Sequence, residues 1–229
     1  MEKSFPMSSF SDPSVVSEYA QRAMKLVPGL LDMQRMAAVL LAERAPADAR
    51  ILVVGAGGGV ELKTFAQAHD GWRFDGVDPS AAMLVLAKTT LGPLMSRTTL
   101  HEGTIDAAPA GPFDGASCLL TLHFIATDER RRTLREIHRR LKPGAPLVVM
   151  HISFDQSEGA RDVWLSRYAA FAIANGVDPE KARTAGATIH EQLPILSPEQ
   201  DEALLREAGF SEVNVFYVGL AFRGWVAHA

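Results

Sequence analysis

Hydrophobic and polar positions change period along the chain in blocks that predict strands and helices in turn. Four consecutive aliphatic residues, Ile51 to Val54, are typical of a parallel strand buried on both faces. Val60, Leu62 and Phe65 then return to helical spacing. The same rhythm predicts strands near 73–77, 98–101, 114–120 and 146–152 and helices at about 60–69, 80–91 and 128–141. Since each right-handed crossover places a helix on one face, the alternation predicts a doubly wound parallel sheet.

The two ends of the chain depart from this rhythm. Residues 1–12 are polar and carry no period, so we expect a tail there. Residues 153–197 interrupt the alternation and predict inserted helices over the pocket. The remaining predicted elements are helices at about 13–27, 31–43 and 198–208 and strands at 213–218 and 220–227. The last two strands predict a terminal antiparallel hairpin.

A glycine cluster follows the first predicted strand. Gly55, Gly57 and Gly59 allow a sharp turn and a close approach of the backbone to a ligand, which a Cβ would obstruct. The amide groups at the start of the next helix then face the crevice above the strand. Strand-to-helix joints also use glycine for purely steric reasons, so the cluster needs a second feature before it indicates a nucleotide site.

Asp78 supplies that second feature. It ends the second predicted strand about twenty residues after the glycines, where an acid can accept both ribose hydroxyls. The structural alternative is a strand-end turn before Pro79 or a cap for the next helix. The paired spacing favours the ligand role.

The pattern Gly-x-Gly-x-Gly fits S-adenosylmethionine (SAM) better than a dinucleotide, because Val60 stands where the dinucleotide fingerprint has glycine. Two distal motifs, Phe113 to Phe124 and Leu141 to Val149, have the order and spacing of one family. From about residue 50 to its end, the chain resembles the class I SAM-dependent methyltransferases. The resemblance implies an α/β, Rossmann-like fold with a doubly wound, mostly parallel seven-stranded sheet and a C-terminal antiparallel hairpin. It also implies SAM as cofactor and transfer of the sulfonium methyl group to an unidentified small-molecule acceptor.

The same resemblance implies the domain organisation and the donor site. Residues 1–45 would form the N-terminal tail and a helical lid, and residues 46–229 the SAM-binding domain with its insertion at about 153–197. The glycines would pass under the methionine part, Asp78 would bind ribose, and the residues after the third strand would frame adenine. The implied cofactor-binding residues are Gly55, Ala56, Gly57, Gly59, Asp78, Pro79, Met83, Thr104, Ile105, Asp106, Thr121 and Leu122.

Two positions depart from the family pattern. Val53 stands where relatives carry an acid that holds the methionine amino group, and Glu61 in the following helical turn is our candidate substitute. Its alternative role is a favourable interaction with the helix N-terminus. Thr104 stands where relatives often carry aspartate, which leaves the adenine contact unassigned.

The candidate catalytic residues are His123 and His151. They end the fourth and fifth predicted strands, at the edge where ligands bind, so either could act as a general base. Tyr19 and Tyr168 could reach the acceptor from the lid segments. Packing roles are the alternative for all four side chains.

Within the superfamily, the chain resembles the carboxy-S-adenosylmethionine synthases, which make a donor used in tRNA wobble uridine modification. The motifs are Lys25 to Gly29, Leu41 to Arg44, Leu120 to Phe124 and Ala174 to Gly176. Arg183 is the nearest match to the arginine that holds the extra carboxylate in that family, whereas Leu30 replaces a tyrosine. We therefore expect an ordinary small-molecule methyltransferase, with this synthase as the alternative. A non-catalytic nucleotide-binding protein and an NAD-dependent oxidoreductase are further alternatives.

Composition restricts the class without naming the acceptor. The net charge of -4 argues against general nucleic-acid binding. The lone Cys118 fits a reducing cytoplasm, and no histidine, cysteine and carboxylate cluster has metal-ligand spacing. We see no membrane-length apolar run, and a homodimer is left open. The arginine-rich helix at 128–141 is interpreted as amphipathic, with a solvated basic face.

Overall fold

A computed structural model describes residues 22–229, which form a seven-stranded sheet with helices on both faces. The strands are β1 Arg50–Val54, β2 Arg73–Asp78, β3 Thr98–Glu102, β4 Gly115–Leu119, β5 Pro146–Ile152, β6 Ser211–Gly219 and β7 Phe222–His228. The helices are α1 Leu30–Ala42, α2 Val60–Ala68, α3 Ala81–Leu91, α4 Thr127–Arg140, α5 Ala160–Ala174, α6 Pro179–Gln192 and α7 Pro198–Glu207. The strand order is β3-β2-β1-β4-β5-β7-β6, with β7 antiparallel to both of its neighbours. The predicted fold class is confirmed.

The predicted elements agree closely with the observed ones. β5 has the predicted bounds, and α2, α3 and α4 differ from prediction by about one residue at either end. β6 begins two residues earlier than predicted because it continues past two register shifts against β7. Residues 22–26 are helical, and the rest of the helix predicted at 13–27 lies outside the described residues.

The sheet carries one apolar cluster on each face. Val53 points toward the first cluster, which contains Met33 of α1 and Phe65 of α2. Leu52 points toward the second, which contains Leu134 of α4 and reaches Trp225. Adjacent residues of a strand face opposite sides of the sheet, so a strand covered on both sides is apolar throughout. Each fully buried large side chain contributes about 1.5–3 kcal/mol to folding.

The parallel register brings the carboxyl ends of β1, β2 and β4 to one edge. Val54 pairs with Val77, and Val53 pairs with Ser117. Strand order runs outward in opposite directions from β1 and β4, so the crevice between their loops is the topological switch point of the sheet. A ligand site is expected at this edge.

The longest helix that lies wholly within residues 22–229, Ala160–Ala174, has 15 residues, and no helix in this part of the chain is long and apolar enough to cross a membrane.

Candidate active site

A cavity of about 330 Å³ opens at the switch point of the sheet. Its wall is built from the loops that follow four parallel strands and from the first turns of α4. The wall residues are Val54, Gly55 and Gly57; Val77 to Ser80 and Met83; Gly103 to Ile105; Leu119 to Thr121, Phe124 and Ile125; and Glu129 and Thr133. Most of this surface is apolar, and Asp78 and Glu129 are the charged residues among the described wall residues. Such a cavity suits a flat organic ligand held by a few polar contacts.

The glycine loop forms the floor of the cavity at β1. Gly55 has φ 76°, and a Cβ there would lie 1.9 Å from the Thr121 Oγ1. Gly59 has φ 80° as the N-cap of α2, and its Cβ would lie 2.9 Å from the Ala87 Cα. Both positions therefore need glycine for backbone conformation and for close packing.

Asp78 ties the glycine loop to the start of α3. Its Oδ2 accepts a hydrogen bond from the Gly57 amide at 2.9 Å, and its Oδ1 accepts one from the Ser80 amide at 2.9 Å. Burial raises the pKa of Asp78, and the two amide hydrogen bonds oppose this effect. Each carboxylate oxygen has a further acceptor position available for a ligand hydroxyl.

The other predicted cofactor residues fall into two groups. Pro79, Met83, Thr104, Ile105 and Thr121 line the cavity together with Asp78, Gly55 and Gly57. Ala56, Gly59, Leu122 and Asp106 are not among its wall residues. Ala56 and Leu122 are buried in the two apolar clusters, and Asp106 lies at the surface in an ion pair with Arg132 at 2.8 Å.

Glu61 is buried beneath the glycine loop, with 6% of its surface exposed. Ser117 of β4 donates a hydrogen bond to its Oε1. Burial raises the pKa of Glu61 to about 8, and the Ser117 hydrogen bond lowers it by less. Glu61 is not a wall residue, but Ser117 is the register partner of Val53. The carboxyl group therefore lies next to the strand position that lacks an acid.

His123 and His151 come together behind the cavity and do not line it. Their ring centroids are 6.4 Å apart, and both residues are at least 97% buried. The His151 Nε2 is 3.1 Å from the Asp201 Oδ2, and the Arg130 Nη1 donates to the Asp201 Oδ1 at 2.8 Å. Burial, with the nearby charges of His151 and Arg130, holds the pKa of His123 well below its usual range. His123 is therefore neutral at physiological pH.

Of the residues predicted to contact the acceptor, Tyr168 and Arg183 are not among the wall residues of the cavity. Tyr168 on α5 packs against Phe222, with ring centroids 6.1 Å apart, and burial raises its pKa to about 12. Arg183 is exposed on α6. Tyr19 lies outside the described residues. Their roles stay predictions.

The basic face of α4 differs from the prediction at two arginines. Arg130 and Arg140 are buried, because Arg130 binds Asp201 and the Pro194 carbonyl while Arg140 binds Glu136. The exposed members are largely neutralised: Arg131, Arg132 and Arg139 all form ion pairs with acids.

Sequence reasoning missed the contribution of α4 and of Leu120 to the site. Glu129 and Thr133 stand one helical turn apart and reach the cavity from one face of the helix. Leu120 holds φ 56°, rare for a residue with a Cβ, and its amide donates to the Met150 carbonyl at 2.6 Å. The spacing of Glu129 and Thr133 was a usable signal, whereas nothing in the sequence marks the backbone of Leu120.

Comparison with known proteins adds family evidence to this geometry. A family model described as a methyltransferase domain matches residues 51–144. The carboxy-S-adenosyl-L-methionine synthase of Pseudomonas paraeruginosa is 30% identical over 224 residues, covering 93% of this chain and 88% of the relative. The synthase of Pseudomonas putida F1 is 27% identical over 221 residues, covering 93% of this chain and 90% of the relative.

Solved structures share the fold at low identity. A SAM-dependent methyltransferase from Aquifex aeolicus superposes with a TM-score of 0.64 at 17% identity, covering 95% of this chain and 98% of that one. Human N-acetylserotonin methyltransferase in complex with SAM superposes with a TM-score of 0.64 at 15% identity, covering 96% of this chain but 57% of the human chain.

The fold, the switch-point cavity and these matches define a class I SAM-dependent methyltransferase. Within that class, the chain belongs to the family of the carboxy-S-adenosyl-L-methionine synthases.

Proposed function

We propose that the protein binds SAM in the cavity between β1 and β4 and transfers its methyl group to a small organic acceptor. The observation that carries the proposal is Asp78, which stands on the cavity wall with its carboxylate fixed by the Gly57 and Ser80 amides at 2.9 Å each. A carboxylate at the end of the second strand, beside a glycine loop at a switch point, is suited to a ribose diol.

The remaining wall supplies the other parts of a donor site. The backbone at Gly55 and Gly57 leaves room for the chain of a methionine group, because no Cβ fills it. Met83 and Ile105 provide apolar surface for a heterocycle, and Thr121 adjoins the glycine loop where the sulfonium would lie.

Glu61 is proposed to hold the methionine ammonium group in place of an acid at Val53. Its carboxyl group bonds to Ser117, the register partner of Val53, so the helix residue carries an acid to the neighbourhood of the strand position. Among the described residues, no ion pair with Glu61 is formed. Burial raises the pKa of this carboxyl group to about 8, and a ligand ammonium group beside it would favour its ionised form.

Bound SAM supplies an electrophilic methyl on a positively charged sulfur. The methyl carbon forms its new bond to the acceptor atom as the bond to sulfur breaks, and sulfur keeps the electron pair. The protein therefore contributes mainly alignment and exclusion of water. A general base among His123 and His151 stays a prediction, since neither side chain lines the cavity. The insertion, residues 153–197, is proposed to complete the acceptor pocket.

The second candidate is synthesis of a carboxylated SAM, favoured by relatives of that name that match 93% of the chain. The negative charge of the cavity wall argues against this second candidate. Asp78 and Glu129 are negative, and no lysine or arginine occurs among the described wall residues. A donor with an extra carboxylate would then be buried without a cation, at a cost of several kcal/mol. Arg183, the residue proposed to bind it, is exposed on α6.

Cellular location in the cytoplasm, a homodimer and the absence of general nucleic-acid binding remain parts of the proposal. An NAD-dependent reaction has no specific support in the site.

Incubation of the purified protein with SAM carrying a deuterated methyl group, together with a metabolite extract, tests the proposal. Mass spectrometry should detect an acceptor that has gained the labelled methyl and an equal amount of S-adenosylhomocysteine. Appearance of carboxylated SAM instead would favour the second candidate. The Asp78→Asn variant is the control: it should bind the donor more weakly and form less labelled product, and circular dichroism verifies that it is folded.

A further inference from the structure

We propose that Glu129 selects the purine base of the donor by accepting a hydrogen bond from its exocyclic amine. This inference rests on the proposed function, since it assigns a specificity-determining residue to the same cavity. Asp78 and Glu129 are the charged residues among the described wall residues. Asp78 is assigned to the ribose, whereas Glu129 has no role in the proposed function so far.

The position of Glu129 follows from the order of the strands. The glycine loop ends β1, Asp78 ends β2, and Gly103 to Ile105 follow β3, which lies outside β2. A nucleoside with its tail on the glycine loop and its ribose at Asp78 thus directs its base toward the β3 side. The first turns of α4 pack against the turn Ile105–Ala107 on that side, and Glu129 and Thr133 are the wall residues there.

The charged groups around Glu129 leave a negatively charged hydrogen-bond acceptor at the end of the cavity where the purine base would lie. The Arg132 guanidinium binds both Glu129 oxygens, its Nε at 2.9 and 3.0 Å, and both Asp106 oxygens at 2.8 Å. One guanidinium between two carboxylates leaves a net charge of about -1. The hydrogen bonds from Arg132 lower the pKa of Asp106, so its carboxylate stays ionised.

This arrangement discriminates between purines by chemistry. A carboxylate accepts hydrogen bonds and cannot donate when ionised. Adenine offers an amine donor at its six position, whereas hypoxanthine offers a carbonyl oxygen that would face the carboxylate unpaired. Arg132 also orients the carboxylate plane, because bidentate contact with guanidinium fixes both oxygens.

A purely structural role for Glu129 makes a different prediction. An acid in the first turn of α4 favours the helix N-terminus, and its pair with Arg132 is an i, i+3 contact. Both effects act on stability and neither distinguishes one base from another.

The test compares binding of S-adenosylhomocysteine and S-inosylhomocysteine, in which the amine is replaced by a carbonyl oxygen. Titration calorimetry is carried out on the wild type, Glu129→Ala, Glu129→Gln and the matched control Asp128→Asn. Asp128 is also an acid in the first turn of α4 with an i, i+3 arginine partner, Arg131, but it is not a wall residue. The wild type and the control should prefer the adenosyl ligand by about tenfold or more, the range of one hydrogen bond to a charged group.

Glu129→Ala should lose most of that preference, and Glu129→Gln should reduce it because its amide can also donate to a carbonyl. Unchanged preference in both Glu129 variants would overturn the inference while leaving the proposed function intact. Failure of the folded wild type to bind S-adenosylhomocysteine would instead refute the proposed function, and the inference with it. Circular dichroism of each variant verifies folding.

Discussion

Ser117 on β4 donates a hydrogen bond to Glu61 on α2, and the same serine is the register partner of Val53 on β1. The Glu61 carboxyl group on the helix therefore lies close to the strand position that Val53 occupies. Burial raises the pKa of Glu61 to about 8, although the hydrogen bond from Ser117 opposes this effect. Its neighbour Cys118 also has a raised pKa, from burial and from Glu61, so the thiol adds no charge.

Glu61 makes the stability of the protein pH-dependent. Its folded-state pKa of about 8 exceeds the ordinary value of 4.5, so the folded state binds this proton more tightly than the unfolded state. The stabilising effect of the neutral carboxyl is complete below pH 4.5 and is lost as pH rises through 8. The shift corresponds to roughly 5 kcal/mol as an upper bound. Urea unfolding of the wild type from pH 6 to 9 should show falling stability, and Glu61→Gln should flatten the curve. Equal slopes would contradict the assignment.

Glu61 should also distinguish ligands that carry an ammonium group from those that lack it. Glu61→Gln should weaken SAM binding by about tenfold or more, the range of a hydrogen bond to a charged group. Binding of 5′-methylthioadenosine, which lacks the amino acid portion, should change little. Calorimetry of both ligands checks this, and an unchanged SAM affinity in the variant would show that Glu61 does not hold the donor.

Gly55 cannot accept a side chain. Gly55→Ala combines a left-handed φ of 76° with a Cβ 1.9 Å from the Thr121 Oγ1, so we expect a loss of about 3 kcal/mol or more in unfolding free energy. Gly29→Ala is the matched control: φ is 57°, but nothing lies within 4 Å of its Cβ. That variant should lose about 1 kcal/mol. Adding Thr121→Gly to Gly55→Ala should recover the difference; similar losses in the two single variants would refute the packing argument.

Arg130 holds the α4 wall of the cavity against α7 and the end of the insertion. Its side chain is fully buried and binds Asp201 and the Pro194 carbonyl, each at 2.8 Å. Arg130→Met should cost about 3–5 kcal/mol, because it leaves Asp201 without its guanidinium. Arg131→Met, which removes surface ion pairs with Asp128 and Glu207, should cost less than about 1 kcal/mol. Urea unfolding of both variants measures the contrast, and equal losses would show that burial at Arg130 is unimportant.

The sequence predicted the elements well and the direction of individual side chains less well. Periodicity and glycine placement report backbone conformation, so β1, the glycine loop and Asp78 could be identified before the structure. Position at a strand end does not say which way a side chain turns. His123 follows β4 in a short 3-10 turn, Leu122–Phe124, where its side chain is buried and is not part of the cavity wall.

The burial of Arg130 was more accessible to sequence reasoning. Arg130 lies four residues before Leu134, and Leu134 lies three residues before Ile137. At this spacing all three side chains share the buried face of α4. Charge alone suggested an exposed position. Its partner Asp201 is 71 residues away, which local patterns cannot reveal.

The cavity between β1 and β4 is proposed to bind the adenosyl donor, and calorimetric titration into ligand-free protein tests this most directly. SAM and S-adenosylhomocysteine should each bind at one site per chain with affinity in the micromolar range, and NAD should give no binding heat. Asp78→Asn should reduce both affinities by about tenfold or more, whereas Asp128→Asn, at an exposed acid outside the cavity wall, should not. Binding of neither adenosyl ligand to the folded wild type, or equal binding to Asp78→Asn, would contradict the account.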